Sequence, residues 1–77
     1  MKKRYFYQLI SRLKNSLHRA ELNEELKGNR LFEITCHYNF DYYAEEVFMA
    51  NIEHKLARIR VKMIKKELKE IKRIHNV

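Results

Sequence analysis

Seventy-seven residues make one domain at most, and 17 Lys and Arg against 10 Asp and Glu leave a formal charge of +7. Sheet architectures need turns, and a chain with no proline and one glycine has too few turn residues for them. A single cysteine rules out an internal disulfide, so a core this small is expected to lean on oligomerisation.

The first predicted element is a helix from about residue 3 to 27. Phe6, Leu9, Ile10, Leu13, Leu17 and Ala20 recur at steps of three and four, which is one helical face. Gly28 follows as a candidate left-handed C-cap. Leu22 and Leu26 fall off that face, so the helix either presents a second face or bends near Asn23. Glu21, Glu24 and Glu25 would oppose the helix dipole at such a C-terminus.

A connector is expected over residues 28–40. Phe32, Ile34, Cys36, Tyr38 and Phe40 alternate with Glu33, Thr35, His37 and Asn39, a strand-like period. The same stretch also reads at helical spacing through Phe32, Cys36 and Phe40. No second strand candidate exists to pair with it, so segment 31–40 is helix or irregular, or a strand paired between two chains.

The last element is a long helix from about 41 to 75, with Asp41 as its expected N-cap and Glu45 and Glu46 near its positive end. The expected fold is therefore mainly α: a helical hairpin with one long C-terminal helix, assembled as a dimeric helical bundle. At 100° per residue, Met49, Ile52, Leu56, Ile59, Met63, Ile64, Leu68, Ile71 and Ile74 share one broad side of that helix. Lys55, Arg58, Lys62, Lys65, Lys69 and Lys72 form a stripe on the other side, and Lys66 and Arg73 widen it. No acid interrupts the stripe. A solvated helix usually mixes its charges so that neighbours pair, whereas like charges in line repel by a few tenths of a kcal/mol per pair.

Arg60 and Glu67 interrupt the apolar side seven residues apart. In an antiparallel pair of these helices with its dyad near Met63 and Ile64, each Arg60 would face the other copy's Glu67 and fix the register. A helix of 25 residues opposite one of 35 would also leave about 15 Å of overhang, carrying Leu68, Ile71 and Ile74, for a partner to cover.

No catalytic or metal-binding pattern emerges. His18, His37, His54, His75 and Cys36 match no zinc spacing, and a phosphate-cradling loop needs more glycine than this chain has. Cys36 is expected to pack as a small apolar residue. No cofactor and no small-molecule substrate are expected. Tyr38, Tyr42 and Tyr43 are candidate protein contacts, since tyrosine is enriched at interfaces.

Two functions from different classes fit these features. One is a small non-enzymatic protein whose basic helix face contacts nucleic-acid backbone without a sequence-specific motif. The other is an adaptor or inhibitor, of the kind found as bacterial or phage accessory proteins, that engages an acidic protein through its tyrosines and apolar surface. Self-association is expected under either. No apolar run approaches a membrane span, Arg60 and Glu67 disfavour a membrane-surface helix, and the lone thiol suggests a cytoplasmic setting.

Overall fold

The computed structural model describes residues 3–75 of the chain, with side chains described from Arg4 to Ile74. Two helices account for nearly all of it: α1, Lys3–His37, and α2, Glu45–His75. They pack on each other as a hairpin measuring 55 × 16 × 14 Å. At 1.5 Å per residue, 35 and 31 residues give rods of about 53 and 47 Å. The helices therefore run side by side for almost their full length.

Each helix contributes a narrow inner stripe at alternating steps of three and four. On α1 it is Phe6, Ile10, Leu13, Leu17, Ala20, Glu24, Lys27, Leu31 and Ile34; on α2 it is Val47, Ala50, His54, Ala57, Val61, Ile64, Leu68 and Ile71. Every one of these side chains is buried or half-buried. A sustained mean step of 3.5 residues is the seam of a coiled coil. The apolar core is concentrated where Phe6, Ile10 and Ala20 meet Val61, Ile64 and Leu68, with Leu13, Leu17 and Ile71 packed against them. Nearer the connector the seam turns polar with Glu24, Lys27 and His54, and Lys27 reaches Glu53 at 3.3 Å.

The structure corrects the sequence reading at the first helix. Gly28 does not end α1; it lies within a helix that continues to His37. Glu21, Glu24 and Glu25 are accordingly mid-helix and do not oppose the dipole at a C-terminus. Glycine inside a helix costs about 1 kcal/mol relative to alanine, and here packing outweighs it. A Cβ on Gly28 would stand 3.2 Å from His54 Nε2, so the missing side chain is the notch that admits the imidazole.

The cap lies at Asn39. The amide of Phe40 donates to the Thr35 carbonyl at 2.8 Å and that of Asn39 to the Cys36 carbonyl at 3.1 Å, the paired bonds of a Schellman cap. Asn39 and Phe40 both have positive φ, 55° and 62°. The connector therefore shrinks from the expected 28–40 to 38–44, and no strand occurs among the described residues. Asp41 is not the N-cap of α2. Its carboxylate accepts from the Tyr43 amide at 3.0 Å inside the turn, and the Ala44 carbonyl takes the first helical bond, from Phe48.

With α1 this long, the expected overhang vanishes. Leu68 is buried and Ile71 half-buried against α1, and only Ile74 stays largely exposed. Cys36 is exposed instead of packed.

The notch predicts a coupling between Gly28 and His54. Gly28→Ala should gain most of the roughly 1 kcal/mol helix-propensity benefit in a His54→Ala background, and clearly less beside the native imidazole. Urea unfolding of the four proteins checks this; equal gains in both backgrounds would refute the notch.

Candidate nucleic-acid interface

The apolar surface of α2 divides into two seams, and the sequence reading had merged them. Ile64, Leu68 and Ile71 belong to the inner stripe and are spent on α1. Met49, Ile52, Leu56, Ile59 and Met63 form a second run of three and four on the far side of the helix, 37–60% exposed. At about half exposure each forfeits on the order of 1 kcal/mol of burial. Arg60 and Glu67 are exposed and stand between the two seams, in one row with Glu46 and Glu53. Of the two residues expected at the dyad, Ile64 is covered by α1, whereas Met63 is 58% exposed.

The cations occupy the opposite flank. Asn51, Arg58, Lys65 and Lys72 are seven residues apart and share one row of α2; Phe48, Lys55, Lys62 and Lys69 share the next. On α1 the row seven apart is Lys14, Glu21, Gly28 and Thr35. Lys65 makes contact with Glu21 at 3.9 Å, and Asn51, Gly28 and Thr35 line a common hollow. These contacts join the rows into one face. Lys55, Arg58, Lys62, Lys65, Lys69 and Lys72 are all exposed on it, spaced over about 25 Å. Lys66 and Arg73 stand in the next row, beside Lys55, Lys62 and Lys69. They continue the outward seam toward its C-terminal end and, with Lys69 and Glu70, border a shallow depression.

The stripe is free of acids within α2, and α1 adds one partner, Glu21 on Lys65. Both groups are about half exposed, so the pair contributes little. The other flank is more acidic near the connector, where Glu45, Glu46 and Glu53 line a hollow with Arg30. Charge is thus segregated across the hairpin as well as along α2.

The connector end is rich in aromatic surface. Phe32, Phe40, Tyr42 and Phe48 are 56–67% exposed and Tyr43 is 98% exposed. Tyr38 is half-buried instead, with its ring edge-on to His37. Burial, then the hydrogen bond to Glu46 and that carboxylate's charge, push its phenol above the usual value of 10.0. Of the three candidate contact tyrosines, Tyr42 and Tyr43 are thus presented to solvent and Tyr38 is tied to the turn.

Among the described residues no three of His, Cys, Asp and Glu gather as a metal site, and no helix is long and apolar enough to cross a membrane. No family model, curated protein or solved structure matches the chain.

Tyr38 should titrate above the usual tyrosine value of 10.0. Its neutral form is the one the fold favours, so its share of stability is intact below pH 10.0 and lost as pH rises through the higher folded value. Ultraviolet titration should show a late tyrosinate component that Tyr38→Phe removes; an unchanged curve in that variant would assign the component elsewhere.

Proposed function

We propose that this chain is a non-enzymatic binding module whose basic flank contacts nucleic-acid backbone, and that it works as a pair of hairpins joined over the outward seam of α2. The observation that carries the reading is the exposed row from Lys55 to Lys72, which has a single carboxylate partner among the described residues. A row of like charges is mutually repulsive, and a polyanion relieves that repulsion while releasing its own counterions. Lysine predominates over arginine, which suits phosphate contact more than base-edge reading.

The second copy follows from the outward seam. Its apolar centre lies between Leu56 and Ile59. An antiparallel pair about that point sets Ile52 of one hairpin against Met63 of the other, and Leu56 against Ile59. Arg60 then lies within one turn of the other copy's Glu53, nearer than its Glu67. A standard interface takes about 800 Å² from each partner, roughly an eighth of the 6597 Å² surface of this chain. The seam with its flanking rows offers a patch of that order. A second reading, an adaptor for an acidic protein, draws support from Tyr43, which is nearly free of contacts within the chain.

Two measurements test the proposal. Binding to an oligonucleotide should weaken steeply with salt, with a log–log slope of about −4 to −5 if the six cations all engage, and Lys62→Glu with Lys69→Glu should abolish it while helicity is kept. Sedimentation should give a dimer that Leu56→Asp converts to a folded monomer. Absence of binding even at low salt would leave the adaptor reading, and a monomeric native chain would remove the paired arrangement.

A further inference from the structure

We infer that the basic flank takes single-stranded nucleic acid, with the phosphates along the lysine row and a base stacked in the aromatic hollow at its connector end. The inference rests on the nucleic-acid reading above and adds the strandedness of the ligand and the place of a base.

The hollow, of about 260 Å³, is lined by Gly28, Leu31, Phe32, Thr35, Phe40, Tyr42 and Asn51. It lies on the same flank as the cations. Asn51 is seven residues from Arg58 and in its row, and Phe48, 56% exposed, is seven from Lys55. Rail and hollow are therefore continuous, with no charged residue among those lining the hollow. At this size it is smaller than the usual small-molecule pocket of about 300–1,000 Å³, and it is open on one side. A single planar ring suits it better than a whole cofactor.

Three features mark the hollow as a stacking surface. Phe32, Phe40 and Tyr42 leave 67%, 58% and 62% of their surfaces exposed, so the rings are not consumed by the core. Phe40 holds a φ of 62°, a left-handed conformation that is unusual for a bulky side chain. The cap needs only Asn39 in that conformation; the second left-handed residue carries a ring to the hollow. Finally, Asn51 is half-buried in the wall, and its amide has no partner among the described residues. An amide offers both a donor and an acceptor, which can meet the Watson–Crick edge of an unpaired base, an edge that pairing occupies in a duplex. The Thr35 hydroxyl does not compete for it, because it donates to the Leu31 carbonyl at 2.6 Å.

A duplex fits this flank less well. The basic face is shared with α1, and the two-helix body measures 16 × 14 Å across its Cα positions alone, whereas a major groove about 12 Å wide admits one helix. A duplex also keeps its bases stacked inside, away from the hollow. A single strand supplies phosphates and free base faces together, the pairing that lysine rows and aromatic platforms recognise.

The test uses the full chain and a labelled thymidine oligonucleotide long enough to span the rail, compared with a duplex of the same length. The single strand should bind more tightly than the duplex. Phe32→Ala and Tyr42→Ala, both at exposed positions, should each weaken single-strand binding about 5- to 100-fold and leave duplex binding and helicity unchanged. Lys62→Glu with Lys69→Glu should weaken both. Equal affinity for the two forms with neutral aromatic variants would overturn the inference and leave the basic-flank reading standing. No binding of either at low salt would overturn both. A change of sedimentation mass in the aromatic variants, without a change in strand affinity, would reassign the hollow to a protein contact and likewise overturn the inference.

Discussion

The constraint on which everything else depends is the seam between α1 and α2. Two helices in contact along a mean step of 3.5 residues can bury only a narrow stripe of each. On α2 that stripe is Val47, Ala50, His54, Ala57, Val61, Ile64, Leu68 and Ile71. Once it is fixed, every other row of the helix has a place: the acid-free lysine rows on one flank, the Glu46–Glu53–Arg60–Glu67 row on the other, and Met49 to Met63 facing away. The surface chemistry of this protein is the remainder left by one packing decision.

The seam itself is not uniform. Near the chain ends it is apolar and built from Phe6, Ile10, Ile64 and Leu68. Toward the connector it relies on small and polar groups: Ala50 and Ala57 buried, His54 against Gly28, Lys27 bridged to Glu53. Polar groups in a coiled-coil seam cost stability and specify register. Here they lie in the connector half of the seam, the half that also carries the hollow. Gly28 takes part in both, as the notch for His54 and as the floor of the hollow.

A second consequence is division of labour between faces. The outward seam of α2 is apolar and suits a like surface, whereas the basic flank suits an anion. The row of Lys55, Lys62 and Lys69 borders that seam, so an assembly over Met49 to Met63 would leave the row of Arg58, Lys65 and Lys72 the more accessible of the two. In an antiparallel pair of hairpins the two basic flanks would be related by the dyad and their aromatic hollows would lie toward opposite ends.

The helical class and the segregated stripe from Lys55 to Lys72 were legible in the sequence, whereas the start of α2 moved from Asp41 to Glu45. The class and the stripe follow from composition and from periodicity within one element, which need no knowledge of neighbours. The sequence did not determine the end of α1. Gly28 carries the local signal of a stop, and residues 32–40 satisfy strand and helix periods alike; contact with α2 resolves both, because about 1 kcal/mol of propensity is less than the packing gained by another turn. Nor did it divide the apolar side of α2. A wheel at 100° per residue blurs two stripes whose true step is 3.5, and only the presence of α1 shows that Ile64 and Leu68 are taken while Leu56 and Met63 are free. The aromatic hollow was beyond reach for the same reason. Its walls come from Gly28, Phe32 and Thr35 on one helix, Phe40 and Tyr42 in the turn, and Asn51 on the other helix. Residues so far apart along the chain become one surface only when the hairpin closes.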